Sequence, residues 1–256
     1  MSRAERKAER GSRLSWHREH ELPAGTVVPS VLAAAAGLVA MWPFTSVIEP
    51  GTWSFAVLAV VVVTALTGMA SRTLTRGRPT WARDLVTIAV QIVAVIGTVT
   101  LLVAGDTAVF GLIPTDATLF TFQALAAAAW EEITFGSAPI AASPGLEAVM
   151  GVGFGIVAIL LDQLVAQRGA ILASLLTAVV GSVPMIVTLG GVNVVWFVIL
   201  GILILALLGY TAAQNPESPR RTSAAVAAGV GVAALAATVI VAVSYTHLTL
   251  PTIYSV

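Results

Sequence analysis

The chain predicts an all-α fold, a polytopic transmembrane helical bundle of about seven spans with its N-terminus in the cytoplasm. Three observations predict it. Apolar residues make up 57% of the sequence and charged residues only 10%, where a soluble domain carries roughly 25% charged residues. The apolar residues fall in runs of about 20, the length that crosses a hydrocarbon core of roughly 30 Å. The basic residues, finally, all lie in the N-terminal tail and in alternate connections between those runs. Uninterrupted apolar runs also argue against a membrane barrel, whose strands alternate over about 10 residues.

Residues 1–22 form a polar cytoplasmic tail in which Arg3, Arg6, Lys7, Arg10, Arg13 and Arg18 interleave with Glu5, Glu9, Glu19 and Glu21. The interleaved acids argue against a nucleic-acid arm. His17 and His20 lack the spacing and companions of a zinc site. The first span, near 27–44, reads as a non-cleaved anchor, with Pro29 in its first turn, where a missing N–H costs least. Trp42, Phe44 and Trp53 read as interfacial aromatics around the connection to span 2, near 53–70. The loop from Ser71 to Asp84 carries Arg72, Arg76, Arg78 and Arg83 and is broken by Gly77 and Pro79. Span 3, near 85–104, contains Gln91, read as an interhelical hydrogen-bonding residue.

The long connection 105–147 holds Asp106, Asp116, Glu131, Glu132 and Glu147 and no Lys, Arg or His. Thr115 or Asp116 offers a helix cap. Leu119, Phe122, Ala126, Ala129 and Ile133 then recur at helical spacing, predicting one apolar face on a helix in the outer interface. Span 4, near 148–166, has Gly151, Gly153 and Gly155, read as a face for close helix approach. Gln167-Arg168-Gly169 reads as a tight turn. Span 5, near 170–189, should kink at Pro184. Span 6 lies near 194–211. Span 7, near 224–243, follows a polar loop with Arg220 and Arg221.

With the N-terminus inside and the spans alternating, all 13 Lys and Arg residues fall on the inner side and none on the outer. This arrangement predicts a bacterial plasma-membrane protein with its N-terminus cytoplasmic. Residues 23–243 then form one transmembrane domain.

The chemistry is sparse. There is no cysteine, which excludes disulfides, thiolate metal sites and a Cys nucleophile within these residues. No phosphate-loop, nucleophile-elbow or zinc-protease pattern appears, so no catalytic, cofactor-binding or metal residues are assigned. Asp162 is the one acid well inside a span and hence a functional candidate, although its place near Arg168 also fits a structural polar contact. Trp130, Glu131 and Glu132 are the remaining candidates. Adjacent carboxylates on a helix point about 100° apart, which disfavours a convergent acid–base pair.

The segments Trp130 to Gly145 (WEEITFGSAPIAASPG) and Leu160 to Pro184 (LLDQLVAQRGAILASLLTAVVGSVP) resemble the N-terminal membrane region of TgpA-type transglutaminase-like proteins, in their actinobacterial branch. The resemblance implies an extracytoplasmic transglutaminase-like domain with a Cys-His-Asp triad after the membrane region. These residues hold no such triad, and on this reading the fragment by itself is not an enzyme. The chain reads as truncated, and residues 244–256 (SYTHLTLPTIYSV) read as a non-native tail. The expected role is a membrane anchor and scaffold, with the lipid bilayer and other envelope membrane proteins as partners and no nucleic acid or cofactor. The rivals are a small permease or lipid-substrate transporter, favoured by a cavity lined by Asp162 and Gln91, and an interfacial enzyme using Glu131 and Glu132.

Overall fold

The computed structural model describes residues 24–188 and 194–213. Among these residues the protein is all helical, without strands. Seven α-helices occur: α1 (Ala24–Met41), α2 (Thr52–Leu74), α3 (Thr80–Val103), α4 (Asp116–Phe135), α5 (Pro144–Ala166), α6 (Ala170–Thr188) and α7 (Val194–Ala213). Short 3-10 turns follow α1 (Trp42–Ser46) and α3 (Gly105–Thr107). Five segments are long and apolar enough to cross a membrane: Val27–Ser46, Thr52–Leu74, Thr80–Val103, Pro144–Ala166 and Val194–Ala213. The seventh run, 224–243, and the tail 244–256 lie outside the described residues, as do residues 1–22.

Each long helix divides by its own period. On α2, Trp53, Val57, Val60, Val61, Thr64 and Gly68 are buried, while Phe55, Leu58, Val62 and Leu66 form an exposed apolar stripe on the other side. Two apolar faces on one helix fit a hydrocarbon surround, since a helix in water keeps its outer face polar. Lipid tails are as apolar as leucine, so the bundle must be held by close packing and interhelical hydrogen bonds instead of by exclusion from water.

α5 is the hub. It packs against α1, α2, α3, α4 and α6, while α7 lies against α6 and α1. Small residues let its neighbours approach. A Cβ on Gly155 would stand 2.5 Å from Val95 Cγ1 and 3.1 Å from Val60 Cγ1, and one on Gly151 would meet Val99 at 3.3 Å. Gly153 faces open space, because residues two apart point to nearly opposite sides of a helix. The predicted three-glycine face is therefore a two-glycine face. Trp196 fixes α7 by donating its indole N–H to the Val39 carbonyl at 2.7 Å.

Several local expectations shift. α1 begins at Ala24, which puts Pro29 past its first turn. α6 covers the expected span 5, with Pro184 inside the helix. Trp53 is fully buried and donates to the Glu49 carbonyl at 2.8 Å, so it is a core residue and not an interfacial belt residue. The α5–α6 turn places Arg168 at φ 64°, with the Arg168 and Gly169 N–H groups bonded to the Val165 and Leu164 carbonyls.

The connection before α5 is ordered throughout. Of the two caps the sequence offered, Thr115 is the one used, in a reciprocal box with Thr118. The face α4 buries runs through Thr118, Phe122, Leu125, Ala129 and Glu132, whereas Leu119, Ala126 and Ile133 are exposed. Of the apolar positions expected to share one face, Phe122 and Ala129 turn inward, and Leu119, Ala126 and Ile133 turn outward. A Cβ on Gly145 would lie 2.7 Å from the Leu125 carbonyl oxygen and 3.1 Å from the Ala129 nitrogen, so the two backbones nearly touch. Ile48 and Ile140 form a single β-bridge, joining the α1–α2 connection to the loop before α5.

Candidate functional site

The principal site is a buried polar cluster centred on Asp162. α2 continues past the expected end of span 2 to Leu74, which brings Arg72 into the bundle at 6% exposure. Its guanidinium meets Asp162 in a two-pronged contact, Nη1 to Oδ1 at 3.0 Å and Nη2 to Oδ2 at 2.6 Å. Ser30 of α1 donates to Oδ1 at 2.9 Å, and Gln91 of α3 donates to Oδ2 at 2.5 Å. The carboxylate thus accepts from four side-chain donors, about the number of its lone-pair sites.

The cluster extends outward from this centre. Gln91 also donates to the Thr64 carbonyl at 3.2 Å and accepts from Gln163 Nε2 at 3.1 Å. One turn away, Ser71 donates to Thr87 Oγ1 at 3.0 Å. Gly68 makes room for the centre, since a Cβ there would fall 2.6 Å from both Asp162 Oδ2 and Gln91 Nε2. Four helices, α1, α2, α3 and α5, therefore share one hydrogen-bonded junction. Within hydrocarbon an isolated charge is expensive, and a bidentate arginine–carboxylate pair with its remaining valences filled is the arrangement that tolerates burial.

Asp162 and Gln91, singled out from the sequence separately, are direct partners. Arg72, assigned to a loop, is the residue that sequence reasoning missed. The signal was available: Thr64, Gly68, Ser71, Arg72 and Thr75 recur at helical spacing at the end of an apolar run, and all five are buried. Small and polar residues on one helical stripe mark an interhelical contact.

The other candidates do not converge on this cluster. Trp130 is 71% exposed and Glu131 is exposed. Glu132 turns toward the loop, accepting from Ser143 Oγ at 2.5 Å, while Ser143 caps α5 by accepting from the Leu146 N–H at 3.2 Å. Glu147 accepts from Thr52 at 2.5 Å. Glu132 and Glu147 thus tie the α4–α5 and α2–α5 ends together, and Glu131 joins neither contact. No group of three or more His, Asp or Glu residues suited to a metal occurs among the described residues.

The fold and site define an all-α protein with several helices of membrane-crossing character, knit by a buried ionic junction. The TgpA N-terminal domain family matches residues 35–252, and the chain belongs to that family, the N-terminal region of TgpA-type transglutaminase-like proteins. Neither the curated proteins nor the solved structures give a match.

Proposed function

We propose that this chain is the membrane anchor and scaffold of a transglutaminase-like envelope protein. It is a multi-pass bundle in the bacterial plasma membrane, with its N-terminus in the cytoplasm and α4 on the outer side. The catalytic groups belong to an extracytoplasmic domain outside these residues, consistent with a sequence that has no cysteine. Family membership supports the role, and the one-sided distribution of Lys and Arg supports the orientation.

The observation that carries the reading is the hydrogen bond between Gln91 and Asp162. A permease would use these groups to line a polar path. Here they saturate one another and Arg72 in a packed junction, which suits a rigid platform. The exposed Trp130 and Phe135 near the end of α4 offer a surface to other envelope membrane proteins.

The test of orientation is cysteine labelling in intact cells, in a chain with no native cysteine. Ser137 and Gly77 are both exposed. Ser137→Cys should react with an impermeant maleimide from outside, and Gly77→Cys only after permeabilisation. The reverse pattern would overturn the topology. The anchor role is tested in the full-length protein by replacing residues 24–243 with an unrelated membrane helix. Export of the catalytic domain with undiminished activity would show that the bundle supplies no scaffold.

A further inference from the structure

The turn between α2 and α3 is the most basic surface among the described residues. It carries Arg76 and Arg78, both exposed, and leads into Arg83, half-buried in the first turn of α3. One acid, Asp84, stands against these three cations. Its Oδ1 lies 3.5 Å from Arg83 Nε, too far for a strong hydrogen bond. The Asp162 carboxylate is already committed to Arg72. Arg76 and Arg78 have no ion pair among the described residues.

The turn is held in place from within. Thr75 is buried and donates to the Ser71 carbonyl at 2.6 Å. Its own carbonyl accepts from the Arg78 N–H at 3.0 Å, and Ser71 donates to Thr87 across the hairpin. The two exposed arginines therefore stand on a fixed base, and engaging them costs side-chain entropy without ordering a loop.

An exposed apolar stripe starts where these cations end. Trp81, Leu85, Ala89 and Val93 follow one another at four-residue spacing along α3, and all are exposed, Trp81 at 71% and Val93 at 70%. An acidic soluble protein bound to the arginines would leave this stripe in water. A bilayer covers it with acyl chains and sets Arg76 and Arg78 at headgroup depth, with Trp81 at the boundary. This step rests on the membrane reading of α3. The chain's own segments on that side do not neutralise the patch. In the proposed topology they are the tail 1–22, with six bases against four acids, and the loop 214–223, with Arg220 and Arg221 against Glu217.

We infer that the α2–α3 turn binds the headgroup of an anionic phospholipid in the leaflet on its own side of the bilayer, with Arg76 and Arg78 meeting the phosphate and the acyl chains lying along Trp81 and Leu85. The test uses the full chain in vesicles of phosphatidylglycerol and phosphatidylcholine in equal parts. Thr80→Cys, or Val93→Cys farther along the same stripe, carries a fluorophore. Trace phosphatidylglycerol or phosphatidylcholine with a nitroxide on one acyl chain then quenches it. At position 80 the phosphatidylglycerol probe should be preferred about fivefold, and at position 93 the two probes should quench alike. Arg76→Gln with Arg78→Gln should bring position 80 to the ratio seen at 93, whereas Arg76→Lys with Arg78→Lys should keep most of the preference. Equal quenching by both probes at position 80 of the otherwise unaltered chain would overturn the headgroup site while leaving the membrane reading intact. Quenching by neither probe at either position would show that the membrane reading itself fails, and the site with it. Loss of the preference in inorganic phosphate, but not in chloride of equal ionic strength, would assign the arginines to a soluble anion and would equally overturn the lipid site.

Discussion

Arg72 and Asp162, ninety positions apart, face each other as a parallel fork with both prongs at 3.0 Å or less. Neither has an alternative partner of opposite charge among the described residues, so each depends on the other for its place in the bundle. Asp162→Asn keeps the shape and removes the charge, leaving a buried guanidinium uncompensated. The expected loss of stability is about 3–5 kcal/mol, read as a lowered denaturation midpoint in mild detergent. The double variant Arg72→Met/Asp162→Asn should recover much of that loss. If Asp162→Asn alone matches the wild type, the pair is not what holds the junction.

Gly68 gives a second probe of the same junction. Gly68→Ala inserts a methyl group between Asp162 Oδ2 and Gln91 Nε2, where it has no room. Overpacking of this kind costs about 1–3 kcal/mol, against a gain of at most about 1 kcal/mol from helix propensity. Thermal unfolding should therefore shift downward, although no charge or hydrogen-bonding group has been removed.

The glycines of α5 make a matched comparison. Gly155→Ala drives a methyl group into Val95 and Val60, whereas Gly153→Ala meets nothing within 4 Å. The first should lose about 1–3 kcal/mol, and the second should be neutral or slightly stabilised. Equal responses in a detergent melt would show that α3 and α5 are not in this contact.

At the α4–α5 contact, Gly145→Ala pushes on the backbone of Leu125 and Ala129, which cannot rotate away as a side chain would. Ser143→Ala removes both a helix cap and the partner of Glu132, a loss of about 1 kcal/mol for the cap. Both variants should make the 136–143 loop more sensitive to limited proteolysis without dismantling the Asp162 junction. Unchanged cleavage kinetics would mean that α4 is held by other contacts.

The helices were legible in the sequence because a membrane-crossing run is a long one-dimensional signal. Their pairing was not, since an apolar face looks the same toward lipid as toward a neighbouring helix. Arg72 shows the difficulty most clearly. Positive residues mark loops in most membrane proteins, and only the stripe Thr64–Gly68–Ser71–Arg72–Thr75 separates this arginine from Arg76 and Arg78. Asp162 and Gln91 were identified singly because polar residues within apolar runs stand out. Their direct bond depends on helix rotation and relative height, which local composition does not encode. The packed side of α4 was likewise not legible: periodicity finds apolar residues, whereas the contact with Gly145 depends on backbone approach.

Under the proposed topology, the left-handed backbone at Arg168 has a consequence for how the chain enters the membrane. Glycine would occupy φ 64° without the roughly 1–2 kcal/mol penalty of a side chain. Yet the connection carries a cation there and leaves the glycine one residue later. It is the only cation between Asp84 and Arg220, and thus the sole electrostatic label on the α5–α6 hairpin during insertion. Arg168→Gly would relax the turn while erasing that label, so a more comfortable fold would come with a hairpin less able to tell one side of the membrane from the other.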